Sequence, residues 1–241
     1  MSATRVGTFV SLASPEATAI VSSRLDLVLV DAEHGIGDER LLLAQLRAAR
    51  CAHRWLRVRQ LADAPKALDL GADGVVVPRV RGAAEVAELV RICTYPPDGI
   101  RGLGPSAANL YGATMREQLM SGARHGELWP QIETLEAVEA LAEILALDPG
   151  PTGVFIGPGD LSAALGHPGE LGHPEVQRVV EGIVDACVVA GRRFSIFSPN
   201  RADAERWIER GASAVVVGSD ASWMIEGVAP IWALAKARVP E

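Results

Sequence analysis

Residues 25–35 read LDLVLVDAEHG, a short apolar run that breaks off into Asp31, Glu33 and His34. The run has the length and β-branched content of a strand. Behind it, Asp38–Arg50 has helical spacing, with Leu41, Leu42, Gln45, Leu46 and Ala49 on one face. The same alternation continues in both directions. Strands are expected at Val6–Leu12, Leu25–Val30, Trp55–Arg59, Gly74–Pro78, Leu128–Glu133, Gly153–Ile156, Phe194–Phe197 and Ala214–Val217. Helices are expected at Pro15–Ser23, Asp38–Arg50, Ala64–Leu70, Ala83–Ile92, Leu135–Ala146, Pro174–Ala190, Arg201–Arg210 and Trp223–Lys236. Eight strand–helix units in a chain of 241 residues point to a (β/α)8 TIM barrel in the α/β class, a single domain over residues 1–241. A doubly wound sheet is the weaker alternative. No GxGxxG follows the first strand and no P-loop is present, so no nucleotide is expected; Gly99, Gly102 and Gly104 lie in a loop after YPPD. Thr94–Arg124 is the one long insertion, of the kind that often covers a site.

Composition narrows the function. A formal net charge of −7 argues against nucleic acid or an anionic membrane as partner, since both require a basic surface. Cys51, Cys93 and Cys187 form no CxxC and no zinc-type spacing, and no His pair supplies one, in keeping with a reducing cytoplasm. MSATRVGTFVSLASPEA has no basic segment followed by an apolar run, so no signal peptide is read, and no apolar stretch approaches the roughly 20 residues of a membrane span. The basic residues comprise 21 arginines and only two lysines, Lys66 and Lys236. Schiff-base chemistry, on a substrate carbonyl or on pyridoxal phosphate, needs a lysine amine in a pocket. Both lysines fall within expected helices, so that chemistry is excluded.

In such barrels the chemistry gathers where strands end. The second strand exits through Asp31, Glu33 and His34, the third through Arg57 and Arg59, the fifth through Gln131 and Glu133, and the sixth through GPGD, which sets Asp160 at a helix start. Each has a plain structural alternative. Asp160 before LSAAL makes a good N-cap, Glu133 suits a helix's first turn, and His34 and the arginines fit solvated turns. Together they would place polar groups at one barrel mouth. Glu133 and Asp160 on successive exits offer oxygen ligands suited to Mg2+ or Mn2+. The backbone N–H groups of Gly159, Asp160 and Leu161 offer an anion site beside them. His167 and His173, flanking a Gly/Pro loop, read as structural.

The phrases VDAEHG, ALDLGADGVVVPRV, YPPDGIRG, QIET, GVFIGPGDLSAALG, HPEV and GASAVVVGSD, in order along nearly the whole chain, resemble the metal-dependent pyruvate aldolases of the HpcH/HpaI family. The resemblance implies a barrel assembled as a homo-hexamer, a trimer of dimers, with the C-terminal helix packed on or exchanged with a neighbouring subunit. It implies a divalent ion, Mg2+ or Mn2+ with Co2+ or Zn2+ as alternatives, and reversible cleavage of 4-hydroxy-2-oxo acids to an aldehyde and pyruvate, or a related 2-oxo acid such as hydroxypyruvate. It assigns Glu133 and Asp160 as metal ligands, His34 as acid/base, Asp31 as the group orienting His34, Glu33 as a partner of waters at the ion, and Gln131 as a lining residue.

It also implies an arginine leaving the third strand that steadies the enolate. LRVRQLADAPKALDLG is slightly shorter than the family pattern here, so either Arg57 or Arg59 fits, and strand alternation sends both to one face. Asp69 of ALDLG matches a family carboxylate near the active site and equally fits a helix-end surface group. Phe197 in FSIFSPN replaces a smaller residue of the family and is expected to narrow the aldehyde side of the pocket. Oxaloacetate decarboxylation at the same site, and a silent barrel that binds an oxo acid, are the rival functions.

Overall fold

The structure, a computed structural model, describes residues 3–120 and 126–236. The last five residues before Gly126, including the end of the long insertion, lie outside them, as do residues 237–241. Eight parallel strands close on themselves in sequence order, β1 (Arg5–Val10), β2 (Leu27–Asp31), β3 (His53–Arg57), β4 (Gly74–Val77), β5 (Glu127–Ile132), β6 (Gly153–Ile156), β7 (Arg193–Ser198) and β8 (Ala214–Ser219), with β8 pairing back onto β1. The helices are α1 (Pro15–Ser22), α2 (Glu39–Ala48), α3 (Ala64–Asp69), α4 (Ala83–Cys93), α5 (Met115–Met120), α6 (Leu135–Glu139), α7 (Leu141–Leu145), α8 (Pro158–Ala164), α9 (Pro174–Val189), α10 (Arg201–Glu209) and α11 (Asp220–Lys236). This is the (β/α)8 barrel that the alternation implies. No helix among the described residues is long and apolar enough to cross a membrane.

Period-two alternation sorts each strand between two cores. In β2, Val28 and Val30 join the large core between sheet and helices, while Leu27 and Leu29 point into the barrel. The inner core stacks Leu27, Leu29, Trp55, Val76, Trp129, Phe155, Ala214 and Val216, with Phe9 and Phe197 toward the strand exits. Trp55 and Trp129 meet at 4.9 Å. A Cβ on Gly74 would lie 2.5 Å from the Trp55 ring, so the neighbouring strand carries glycine where the indole needs room. Below them Glu127 accepts from Arg5 at 2.7 Å and pairs with Arg193 at 3.3 Å, closing the barrel's lower end with satisfied charges. The barrel is therefore filled, and open space begins only at the upper end.

Several elements depart from the sequence expectation. β3 stops at Arg57 because its pairing with β2 ends at Asp31, leaving Arg59 beyond the sheet. The expected helix Leu135–Ala146 is broken at Ala140 into α6 and α7. The sixth unit carries an extra short helix, α8, before α9, and the insertion after α4 contains α5. Lys66 lies on α3, more than half exposed, with Nζ 3.7 Å from Glu39, so it does not point into the barrel. For Lys236 only the backbone, at the end of α11, is described.

Candidate active site

The register that pairs Asp31 with Arg57 across β2 and β3 puts a carboxylate and a guanidinium side by side at the mouth. Arg57 donates through Nε to Asp31 Oδ1 at 2.9 Å and through Nη2 to Oδ2 at 2.7 Å, and its Nη1 lies 3.2 Å from Glu33 Oε2. The guanidinium also lies 4.7 Å over the Phe9 ring. Arg57 and Asp31 are 8% and 6% exposed, so the fork is held almost out of water. Burial opposes the charge on Arg57, but Asp31, Glu33 and Glu133 together hold its pKa above the usual value. Three of its five N–H groups face carboxylates, which leaves two for a ligand.

One expected placement changes, and two that the sequence left open take one of their alternatives. Arg59 is 69% exposed at its side chain and pairs with Asp63 at 3.3 Å, because β3 has already ended; it does not reach the mouth. Asp31 does not contact the His34 imidazole. Its Oδ1 accepts from the backbone N–H groups of Glu33 at 3.0 Å and His34 at 3.4 Å, while the rest of the carboxylate is taken by Arg57. A guanidinium in register satisfies both oxygens, which one imidazole cannot. Asp69 ends α3, a helix that runs back against the strands, so it sits at the lower end of the barrel, where it accepts from the buried Arg101 at 2.6 Å. His34 stands on the loop after β2, exposed, with Nε2 3.7 Å from Glu33.

Glu133 follows β5 directly and precedes Thr134, whose side chain caps α6, so it is outside that helix's first turn. It is 2% exposed. Its Oε1 accepts from the Arg79 N–H at 2.7 Å, and its Oε2 from the Gln131 amide. Arg79 adopts φ +56° at the exit of β4, a conformation disfavoured for a side chain with a Cβ. That local strain turns its N–H toward the carboxylate. Burial, with further contributions from Asp160 and Glu33, pushes the Glu133 pKa up to about 8. A buried acid so placed calls for a cation.

Asp160 stands three residues after the α8 cap, which is Gly157, and is not the N-cap itself. A Cβ on Gly157 would come within 2.6 Å of the Gln131 amide nitrogen and 2.8 Å of Glu133 Oε2, so glycine is required where the chain passes these groups. The buried Gln131 Oε1 has no partner among the described residues. Raised Glu133, nearby Asp160 and an open Gln131 oxygen form an oxygen-rich donor set that fits a hard divalent ion. The Gly159 and Asp160 amides lie in the first turn of α8, where N–H groups lack helical acceptors, whereas the Leu161 N–H is already bonded to the Gly157 carbonyl at 3.3 Å and its side chain is core.

Two cavities meet at Asp160. The first, about 380 Å3, is bordered by Phe9, Asp31, Arg57, Gln131 and Phe155 at the strand ends, by the exposed Gly159 and Asp160 of α8, and by Phe197, Ser11, Ser219, Ser222 and Glu226. The second, about 400 Å3, is bordered by Glu133, Asp160, Arg79 and Arg81. Arg57 opens only to the first. Phe197 packs on Phe9 with ring centroids 5.8 Å apart and forms part of the wall. Phe9 and Phe155 escaped the sequence reading because apolar strand residues carry no mark of a site. Arg79 escaped it because its contribution is a backbone N–H.

A second cluster joins His167 and His173, between α8 and α9, to Glu175 in the first turn of α9. His173 Nδ1 accepts from the Glu175 N–H at 3.3 Å, capping α9, and His167 Nε2 lies 2.9 Å from Glu175 Oε2. The rings stack at 3.4 Å and 19°, which directs their in-plane lone pairs side by side instead of to one point. These contacts close the loop.

The geometry has close counterparts. The chain is 36% identical over 222 residues to a 5-keto-4-deoxy-D-glucarate aldolase of Klebsiella pneumoniae subsp. pneumoniae, covering 90% of this chain and 86% of that one. It is 36% identical over 233 residues to a hydroxypyruvate/pyruvate aldolase of Pseudomonas aeruginosa, covering 93% and 85%. The crystal structure of a HpcH/HpaI aldolase/citrate lyase family protein from Burkholderia cenocepacia J2315 superposes with a TM-score of 0.87 at 30% identity, over 98% of this chain and 95% of that one. The family model for HpcH/HpaI aldolase/citrate lyase matches residues 5–227. On this agreement of sequence, barrel and relatives, the chain belongs to the HpcH/HpaI aldolase/citrate lyase family, a catalytic family whose aldolases are lyases.

Proposed function

We propose that this protein, as a single barrel domain, is a divalent-metal-dependent aldolase. It reversibly cleaves 4-hydroxy-2-oxo acids to an aldehyde and pyruvate, or a related 2-oxo acid such as hydroxypyruvate. The observation that carries the reading is the juxtaposition at one mouth of a buried guanidinium with two spare donors and a buried carboxylate pushed up to about 8. Glu133 and Asp160 would hold the ion, with Mg2+ or Mn2+ suited to such oxygen donors. When bound, such an ion supplies Lewis-acid stabilisation of charge on the 2-oxo oxygen.

The chain's own residues account for the rest. The two remaining Arg57 N–H groups would meet the 2-oxo oxygen as it gains negative charge when C3–C4 breaks, and a charge-assisted bond there favours the transition state over the ground state. The Gly159 and Asp160 amides receive the carboxylate; α8 has only seven residues, so the contribution is two directed N–H groups more than a helix dipole. His34, on the loop held by the Asp31 cap, takes the 4-hydroxyl proton in cleavage and returns it in synthesis. Its exposure lets it exchange that proton with solvent.

A second copy of the chain is expected to cover α11. Trp223, Met224, Ile225, Val228, Ile231 and Trp232 on that helix are each at least 40% exposed, and clustered exposed apolar side chains mark interaction surfaces. This supports the homo-oligomer, a hexamer in the family pattern.

Proton exchange of the pyruvate methyl group, followed by NMR in D2O beside cleavage of a 4-hydroxy-2-oxo acid, tests the assignment. Native protein should catalyse both, and His34→Ala should lose at least the cleavage. Unchanged rates in both would remove His34 as the acid/base.

A further inference from the structure

The larger question left by the proposed reaction is which aldehyde the open half of the cavity accepts. The 380 Å3 cavity is bordered by Arg57 and by Gly159 and Asp160 of α8, so with the 2-oxo acid held by these groups the aldehyde takes the remaining border of the cavity. That border carries Phe9, Phe197, Ser11, Ser219, Ser222 and Glu226. Among the described residues bordering the cavity, Arg57 is the only cation, and its fork is already engaged by Asp31 and Glu33. Asp31, Asp160 and Glu226 are all acids. Arg79 and Arg81 border the other cavity, on the far side of Asp160, and do not face this space.

Resting on the aldolase reading, we propose that the cavity selects an uncharged hydroxyaldehyde over an aldehyde carrying its own carboxylate, and that Glu226 sets this preference. A second carboxylate at the walls would lose hydration without meeting a free cation, and would face Glu226 across a half-closed space. A hydroxyl there finds serine hydroxyls and water as partners, while the phenyl rings cover the carbon chain. Ser219 and Ser222 are held in place by reciprocal bonds: Ser222 Oγ accepts from the Ser219 N–H at 2.8 Å, and Ser219 Oγ accepts from the Ser222 N–H at 3.1 Å. Glu226 follows one turn later on the same helix, whose start is fixed to β1 by Asp220 accepting from Ser11 N–H at 2.9 Å. The wall is thus built on a positioned element.

The chemistry balances without a further reactant. C3 of the 2-oxo acid loses a proton, forms a bond to the aldehyde carbon, and the aldehyde oxygen takes up a proton as the 4-hydroxyl.

The test compares two three-carbon acceptors that differ only at the far end, glyceraldehyde and tartronate semialdehyde, each added to pyruvate with saturating Mn2+. A like-charge contact across partly hydrated space corresponds to roughly a tenfold preference in kcat/KM for glyceraldehyde at low salt. Glu226→Gln should reduce that ratio severalfold, and Glu226→Arg should reverse it. The native ratio should also shrink as ionic strength rises past about 0.1 M, where the Debye length falls to about 10 Å, and the Glu226→Gln ratio should not. Native enzyme that uses the acid as well as or better than glyceraldehyde, or a ratio unaltered by Glu226→Gln, overturns the inference and leaves the aldolase reading standing. Consumption of neither aldehyde overturns the aldolase reading, and the inference with it.

Discussion

Replacing Asp31 by Asn separates two accounts of the same carboxylate. In the structure Asp31 gives both oxygens to Arg57, at 2.9 and 2.7 Å, and touches His34 only through its backbone N–H. Asparagine keeps the shape and one acceptor, but turns an NH2 toward a guanidinium donor. Removing one partner of a buried ion pair costs about 3–5 kcal/mol because the other charge is left unpaired. Here Glu33, at 3.2 Å from Nη1, retains part of the charge balance. The expected loss is therefore about 2–3 kcal/mol, a factor of roughly 30 to 150 in the folding equilibrium. Urea unfolding of native and variant protein, with oligomer concentration held constant, reads it directly. The same loosening displaces Arg57, and a misplacement on the order of 1 Å lowers kcat/KM about a hundredfold. An account in which Asp31 serves His34 predicts a slower reaction with stability unchanged, and that outcome would refute the reasoning.

Other outcomes follow from the same geometry. Without divalent ions, stability should fall as pH rises from about 4.5 through about 8, because the folded state holds a proton on Glu133 that the unfolded chain releases. At about 1.4 kcal/mol per pH unit the effect is at most on the order of 5 kcal/mol. Glu133→Gln should remove that slope, and parallel curves for the two proteins in EDTA would show that Glu133 is not the group. Arg57→Lys should lower kcat/KM by at least about a hundredfold, since a lysine cannot span Asp31 and a ligand with a fork, whereas Arg59→Lys should stay within about threefold; steady-state rates at matched metal decide, and equal losses would contradict the assignment. Ile231→Asp on the exposed face of α11 should lower the oligomer mass in light scattering, and an unaltered mass would show that this face is not the interface.

Much of the barrel is legible in the chain because two-residue alternation is strong. Leu27 and Leu29 point inward while Val28 and Val30 point outward, as LVLV implies. Candidate site residues at strand exits stand out for the same reason: Glu133 and Asp160 interrupt runs that packing alone would keep apolar. What alternation cannot supply is where a strand stops. Arg57 and Arg59 share a face by period two, and only the pairing of Asp31 with Arg57 decides between them. That pairing spans 26 residues of sequence and has no local mark. Asp69 illustrates a related limit, since a motif names a residue while the direction of α3 takes it to the other end of the barrel. The Arg79 N–H, fixed by a left-handed backbone turn, leaves no side-chain signature at all.

The most direct test of the central claim is cleavage of a 4-hydroxy-2-oxo acid after exhaustive chelation, followed by return of Mg2+ or Mn2+, with borohydride and pyruvate added in a parallel sample. The account predicts that chelation abolishes the rate, that either ion restores it in native protein but not in Asp160→Ala, and that borohydride leaves the enzyme intact. Full activity after chelation, lost when borohydride traps pyruvate on a lysine, would contradict it.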